Sequence, residues 1–228
     1  MVSSAVAARA AVEPRAKRLT EQIHQILKKD IIECTLEPGE LLLESAIRER
    51  YRIGHTPFRE ACHRLAAEGL IQILPHRGYY VASFSSKDVR DLFELRLKLE
   101  PWAAELACQR GQSHSFATLE KAVSEFARLR KTRPPRMFRD VNWTNLAFHV
   151  GVAQLANNRE LQDIIENIHG KLMRIIMFTA RRTPEDQLFD EYHPLILEAI
   201  KAAKTTEARR LMIKDIEWAR DWVKEVAR

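Results

Sequence analysis

The sequence has few cysteines, no long apolar run and no internal repeat. Its three cysteines, Cys34, Cys62 and Cys108, have none of the short spacings of metal-ligand motifs, and we expect them to be reduced and buried. No apolar stretch approaches the roughly 20 residues that a membrane-spanning helix needs. The segment 1–18 lacks an apolar core long enough for a signal peptide. These absences predict a cytoplasmic protein with no membrane partner.

Basic residues are in excess, but the excess is not concentrated in one part of the chain. The formal net charge is +6, of which +2 falls in residues 1–85 and +4 in residues 86–228. Net charge alone is therefore a poor argument for a polyanionic partner, and the local placement of basic side chains has to decide.

Residues 55–70 have the apolar spacing of an amphipathic helix, with Thr56 as a suitable N-cap and Gly69 as a suitable stop. The apolar positions recur at steps of three and four: Phe58, Ala61, Cys62, Leu65, Ala66 and Leu70. They leave a polar row outside, formed by His55, Arg59 and His63, with Glu60 and Arg64 beside it. The simplest interpretation of this row is a solvated face with a Glu60–Arg64 ion pair.

The flanking segments favour another interpretation. Residues 44–53 read as a short helix that ends at Gly54, which gives a helix-turn-helix. Two short apolar runs, 70–74 and 79–82, are joined by Pro-His-Arg-Gly and predict a β-hairpin with a basic tip. A recognition helix followed by such a wing is a winged helix, which places the polar row in the major groove of DNA.

The segment 36–81, LEPGELLLESAIRERYRIGHTPFREACHRLAAEGLIQILPHRGYYV, resembles the DNA-binding domain of GntR-family bacterial transcription regulators. One departure is Gly54-His55, where the family usually has Ser-Arg; a histidine cannot form the bidentate guanine contact of arginine. The resemblance implies the DNA-binding set Arg48, His55, Thr56, Arg59, His63, Arg64, His76, Arg77 and Gly78.

Beyond a Ser-rich link, with Ser86 as the expected cap, the pattern is helical to the end of the chain. We expect helices near 87–110, 115–131, 136–156, 159–180, 185–203 and 206–226. The predicted fold is mostly α: a winged helix-turn-helix of three helices and a small β-hairpin wing, followed by an all-α bundle of six or seven helices. The predicted domains are a flexible arm (1–15), a winged helix (16–84) and a helical domain (87–228).

The helical part resembles the FCD domain, the effector-sensing part of FadR-type GntR regulators. The matching stretches are DLFELRLKLEPWAAELA, NLAFHVGVAQLANNREL and EYHPLILEAIKAAKTTEARRLMIKDI. The resemblance implies a homodimer that binds a pseudo-palindromic double-stranded DNA operator and responds to a small organic acid, with repression as the expected sign.

Asn145 and His149 share one helix face, and His193 and Asp215 on later helices could converge with them inside a bundle. The resemblance implies that these four positions hold a divalent metal, with Asn145 replacing the usual Asp and Asp215 the usual third His. The set suits Zn, Ni, Mn or Fe alike. The alternative is that each histidine is an ordinary core or surface residue.

By resemblance, Arg96 points into the ligand cavity and pairs with the carboxylate of the effector. Its alternative role is an exposed i,i+4 partner of Glu100. Trp143 and Arg174 could line the same cavity, as could Trp218, although core packing explains the tryptophans equally well. We expect His24, His114 and His169 to be structural or exposed.

Two other functions stay open at this point. A DNA-binding dimer whose helical domain senses nothing would show no ligand response. A helical metalloenzyme with a two-His, one-carboxylate centre would need a positioned acid or base, for which the sequence offers no candidate, and it would leave the winged helix unexplained. We therefore expect a regulator and not an enzyme.

Overall fold

A computed structural model describes residues 15–132, 137–179 and 192–226 of the chain. It divides into two compact units, and the described part of the first comprises residues 15–30 and 39–82. The described part of the second comprises residues 31–38, 83–132, 137–179 and 192–226, so the segment 31–38 belongs to the helical unit, which the sequence did not indicate. The predicted arm lies almost entirely outside the described residues.

The first unit has the predicted winged-helix elements. Its helices and strands are α1 (Arg15–Ile32, whose last two residues belong to the second unit), β1 (Leu41–Leu42), α2 (Glu44–Tyr51), α3 (His55–Ala67), β2 (Ile71–Leu74) and β3 (Gly78–Val81). The strands form an antiparallel sheet in the order β1-β3-β2, with Leu42 opposite Tyr79 and Ile73 also opposite Tyr79. Strand β1 was not predicted, because two residues are too short to show a period.

The N-cap of helix α3 lies two residues before the predicted cap. Its N-cap is Gly54 and Thr56 lies in the first turn, so the prediction of Thr56 as N-cap is wrong. At the other end, Gly69 has a φ of +72°. The N–H of Gly69 donates to the carbonyl of Ala66, and the N–H of Leu70 donates to the carbonyl of Leu65. This is a Schellman stop, for which glycine is the preferred residue.

The second unit contains only helices as regular structure among its described residues. They are α4 (Ser86–Arg110), a 3-10 turn (Gly111–Ser113), α5 (Ala117–Thr132), α6 (Met137–Leu155), α7 (Arg159–Thr179), α8 (Tyr192–Lys201) and α9 (Thr205–Val226). The cap of α4 is Ser85 and not Ser86: Ser85 forms a reciprocal capping box with Asp88. Parts of the predicted helices that fall on 133–136 and 180–191 lie outside the described residues.

The core of the helical unit is apolar, with charged side chains at its centre. Phe148 and Leu119 are almost fully buried, as are the alanines of α4 that face them. In the same buried stripe of α4 lie Arg96 and Glu100, one turn apart.

All three cysteines are buried thiols. Across the part of the chain that the structure describes, no helix is both long and apolar enough to cross a membrane.

Candidate functional site

The apolar stripe of α3 is used for packing, and its polar row is left exposed. Phe58, Ala61, Cys62 and Leu65 are buried to completion. His55, Arg59 and His63 are exposed on the opposite side. The outward face of α3 is therefore not needed for the core of the first unit, which leaves it available for binding.

Two residues of the polar row contact the wing strand β3. Nε of Arg59 donates a hydrogen bond to the hydroxyl of Tyr79, at 3.3 Å. The ring of His63 meets the ring of Tyr79 edge-on, with centroids 6.3 Å apart. Tyr79 thus connects α3 to the strand that follows the wing tip.

Arg64 lies on the other side of the helix face and bonds to α1. Its Nη1 is 2.8 Å from Glu21, while Glu60 accepts a hydrogen bond from Thr20 at 2.8 Å. The Glu60–Arg64 pair of the simple interpretation is therefore replaced by two contacts with α1. Arg64 is less available to DNA than Arg59 because a terminal nitrogen of its guanidinium is paired with a carboxylate, whereas Arg59 bonds to Tyr79 through Nε.

Glu44 lies close to two further residues of the predicted DNA-binding set. Its Oε1 lies 3.3 Å from Nε2 of His55 and 3.6 Å from Nη1 of Arg48. Thr56, in the first turn of α3, is exposed. The histidine that stands in place of the usual arginine thus lies close to a carboxylate.

The wing tip is exposed and basic. His76 and Arg77 are exposed, and the N–H of Arg77 closes the turn on the carbonyl of Leu74 at 3.0 Å. His76 has a φ of +61° and Gly78 one of +104°, and the left-handed conformation suits the glycine. The tip presents one arginine and one imidazole at the end of a short hairpin.

A second set of polar side chains lies in the core of the helical unit. Each member is at most 2% exposed, and five helices contribute. The members of this buried polar cluster are Arg96 and Glu100 (α4), His149 (α6), His169 (α7), His193 (α8) and Asp215 (α9). Such a concentration of ionisable groups in a core needs mutual hydrogen bonds or a ligand to offset its desolvation.

His149 lies between the two carboxylates of the cluster. Its Nδ1 is 2.6 Å from Oε2 of Glu100, and its Nε2 is 3.4 Å from Oδ2 of Asp215. Nε2 of His193 is 3.5 Å from the other oxygen of Asp215. Oε1 of Glu100 also lies within hydrogen-bond distance of Nε2 of His169, at 3.0 Å.

Within the described residues, two groups of three side chains could hold a metal ion. In each, the three ligand atoms lie within 4.8 Å of one another: His149, His193 and Asp215 form one group, and Glu100, His149 and His169 the other. A metal-ligating histidine commonly donates its second ring N–H to a carboxylate. Oε2 of Glu100 lies 2.6 Å from Nδ1 of His149, so a carboxylate that could take this supporting role is adjacent to the first group.

The protonation states of the cluster suit metal ligation. Burial lowers the pKa of His149 to about 4, although the Glu100 carboxylate acts in the opposite direction. Burial also lowers the pKa of His169. Burial alone would raise the pKa of Glu100, but the Arg96 guanidinium holds it well below its ordinary value. At neutral pH the imidazoles of His149 and His169 are therefore neutral, the form that binds metals.

Arg96 contacts Glu100, but in the core and not at the surface. Its Nε lies 2.5 Å from Oε1 of Glu100, and its Nη2 lies 3.5 Å from His149 Nε2 and 4.0 Å from Asp215. The i,i+4 pair is present, whereas the exposed position of that alternative is wrong, because Arg96 is 1% exposed. An effector contact by Arg96 stays a prediction.

The other predicted ligand residues lie at different places in the helical unit. Asn145 is half-buried, one turn before His149 on the same face of α6. Trp143 donates its indole N–H to Glu33 at 2.9 Å, and Arg174 is buried with its guanidinium over the ring of Phe84. A role of Trp143 or Arg174 in ligand binding also stays a prediction.

Glu100 and His169 are members of the cluster that sequence reasoning did not select. His169 was expected to be structural or exposed; it is buried and stacks on His149 at 4.5 Å. Glu100 had one usable signal, since it falls with Arg96 on the buried stripe of α4, where a lone charge would be costly. His169 had no signal in its own helix.

Comparison with known proteins agrees with both halves of the chain. Residues 19–81 match the model of bacterial regulatory proteins of the gntR family, and residues 91–217 match the FCD domain. The chain is 29% identical over 191 residues to the HTH-type transcriptional repressor GlaR of Escherichia coli, covering 82% of this chain and 87% of GlaR. It is 27% identical over 210 residues to the repressor RspR of the same species, covering 91% and 90%.

Solved structures support the fold. The Escherichia coli protein McbR/YncC superposes with a TM-score of 0.79 at 19% identity, covering 92% of this chain and 99% of that one. The relatives are transcriptional regulators, so the enzymatic alternative is set aside. The chain belongs to the GntR family of bacterial DNA-binding transcriptional regulators, in the group whose members carry a C-terminal FCD domain.

Proposed function

We propose that this regulator is a repressor that binds a pseudo-palindromic operator as a homodimer and responds to a small organic acid. The outward face of α3 reads the major groove, and the wing tip contacts the neighbouring backbone. The acid binds at the buried polar cluster together with a divalent metal. Repression is supported by the names of two relatives, both of which are repressors.

The DNA side of the proposal rests on Arg59. It is the exposed arginine of α3 whose hydrogen bond joins it to the wing strand and not to α1. A guanidinium in that position can donate two hydrogen bonds to O6 and N7 of a guanine. Arg77 at the wing tip is suited to a phosphate contact.

The sensing side rests on one observation: the convergence of His149, His193 and Asp215, with Glu100 at the second nitrogen of His149. Two imidazoles and one carboxylate fit a divalent first-row metal. Asn145 is available on the same helix face as a weak oxygen donor. These residues would hold the metal, which would supply positive charge and coordination positions for a chelating carboxylate.

Charge in the cluster favours the same occupants. Arg96 carries one positive charge and the two carboxylates, Glu100 and Asp215, carry one negative charge each, so the buried cluster has an excess negative charge when its imidazoles are neutral. A divalent cation reverses the sign, and a carboxylate then neutralises it. Buried charge is most stable when it is balanced in this way.

The experiment measures operator binding with and without a probe ligand. A duplex selected by the purified chain from a random-sequence pool is titrated by fluorescence anisotropy, in buffer and with Zn²⁺ plus citrate or malate. We expect a change in affinity of about 5- to 150-fold, the range of typical allosteric coupling, and a rise in melting temperature. Arg59→Ala should keep the rise in melting temperature while losing operator affinity.

The opposite outcome also has a definite meaning. If the chain binds the duplex tightly but neither Zn²⁺ plus citrate nor Zn²⁺ plus malate changes its affinity or its melting temperature, the sensing half of the proposal is wrong. The helical unit would then serve for dimerisation only. His193→Ala is the matched variant, which should bind the duplex like the wild type and show no response to the probes.

A further inference from the structure

Tyr79 is fixed by the sheet and by the core of the first unit. It lies in β3 between Leu42 of β1 and Ile73 of β2, and it is 9% exposed. Its ring meets the buried ring of Phe58 edge-on, with centroids 5.4 Å apart. The position of the tyrosine is therefore set by packing and does not depend on the polar contacts of its hydroxyl.

The hydroxyl of Tyr79 reaches the polar row of α3. It accepts a hydrogen bond from Nε of Arg59 at 3.3 Å, and the ring contacts His63 one turn later. Among the described residues, this is the only hydrogen bond of the Arg59 guanidinium. A rigid ring is thus connected to a long, exposed side chain that otherwise has several rotatable bonds.

This contact determines which atoms Arg59 can offer to DNA. An arginine side chain can bind two acceptors either through Nε and one terminal nitrogen or through both terminal nitrogens. With Nε directed to Tyr79, the two terminal nitrogens remain. They form the fork that fits O6 and N7 of guanine in the major groove.

We propose that Tyr79 is a positioning residue for base recognition: it holds the Arg59 guanidinium so that its two terminal nitrogens face a guanine. This rests on the proposed role of Arg59 in DNA binding. Pre-ordering a flexible side chain lowers the entropy lost on binding, so affinity and base selectivity both depend on the hydroxyl. The wing strand thereby contributes to the reading of bases by α3 without touching DNA at this residue.

Tyr79→Phe removes the hydroxyl and keeps the ring that packs on Phe58. Tyr80→Phe is the matched control, since Tyr80 is the next residue of β3 and points to the other face of the sheet. Each variant is titrated against the duplex selected by the wild type, and each guanine of that duplex is replaced in turn by 7-deazaguanine. Melting temperatures are recorded beside the affinities.

We expect Tyr79→Phe to weaken binding by about three- to ten-fold, the range of one hydrogen bond, while Tyr80→Phe binds like the wild type. The penalty for 7-deazaguanine at the position read by Arg59 should shrink in Tyr79→Phe. In an Arg59→Ala background, Tyr79→Phe should have no further effect, because the group that it positions is gone.

The proposal is overturned if Tyr79→Phe leaves both affinity and guanine selectivity unchanged. It is equally overturned if the loss is as large in the Arg59→Ala background, since Tyr79 would then act through the fold and not through Arg59. Failure of the proposed function looks different. In that case Arg59→Ala itself leaves operator affinity unchanged.

Discussion

The two units of the molecule place their candidate functional side chains in opposite environments. In the first unit, the polar row of α3 is exposed and the apolar stripe behind it is purely hydrophobic. In the helical unit, the candidate site is inside the core, where Arg96, Glu100 and Asp215 are at most 2% exposed. The polar row of α3 lies outside the core of its unit, whereas the buried polar cluster lies inside the core of the helical unit.

The difference predicts how each site depends on folding. An exposed residue such as Arg59 is solvated before and after folding, so its removal changes little in the free energy of unfolding. A buried charge is stable only because its partners compensate its desolvation. Function and stability are therefore separable on α3 and coupled for the charged members of the buried polar cluster.

The largest expected effect is that of Arg96→Ala. It leaves Glu100 buried without its cation, and we expect a loss of about 3–5 kcal/mol in the free energy of unfolding of the helical unit. The measurement is urea unfolding of metal-free protein, followed by tryptophan fluorescence. All four tryptophans lie between residues 102 and 222, so this signal reports the helical unit. A loss below 1 kcal/mol would contradict the assigned network.

Arg59→Ala is the same substitution on the exposed face. We expect the free energy of unfolding to change by no more than about 0.5 kcal/mol, and operator affinity to fall by about 1–3 kcal/mol. Arg128→Ala is the control for loss of charge, since Arg128 is exposed on α5 and pairs with Glu125. Equal losses of affinity in both variants would indicate a general charge effect and not base reading.

A smaller effect concerns the pH dependence of the first unit. Glu68 lies 2.5 Å from His24 and 2.8 Å from Lys28. Burial acts to raise the pKa of Glu68, but the hydrogen bonds from His24 and Lys28 outweigh it and lower the pKa. A carboxylate with a lowered pKa in the folded state stabilises the fold above its ordinary pKa and loses that contribution as pH falls through the folded value.

The measurement is hydrogen exchange of α3 amides, corrected for intrinsic rates, at pH 5 and pH 3. Protection should fall more in the wild type than in Glu68→Gln, which has no carboxylate to protonate. We expect a modest difference because the Glu68 side chain is 24% exposed. Parallel loss in the two proteins would show that Glu68 does not contribute.

The candidate DNA-binding face of the winged helix could be predicted because it consists of the α3 residues that the core does not use. Once Phe58 and Leu65 are assigned to the core, the residues left outside are the ones that can meet DNA. What could not be predicted was the partner of each polar residue. Arg64 bonds to Glu21, 43 positions away, and Arg59 to Tyr79, and no local periodicity encodes such contacts.

The buried polar cluster was predictable only in part. His149, His193 and Asp215 were selected through the family resemblance, and the structure brings their ligand atoms together. Periodicity placed them on helices but could not tell which faces meet in a bundle. His169 joins the cluster from α7 through Glu100, a contact across 69 positions that only the three-dimensional packing reveals.

The most direct test of the proposed metal site is the metal content of the purified protein, determined by elemental analysis beside His193→Ala and Asp215→Asn. Asp215→Asn keeps the volume of the side chain and removes its charge, so it guards against a merely misfolded variant. We expect about one equivalent of a divalent metal per chain in the wild type, because the two candidate groups share His149, and we expect its loss in both variants. Absence of metal from the wild type after reconstitution, or retention of a full equivalent in both variants, would contradict it.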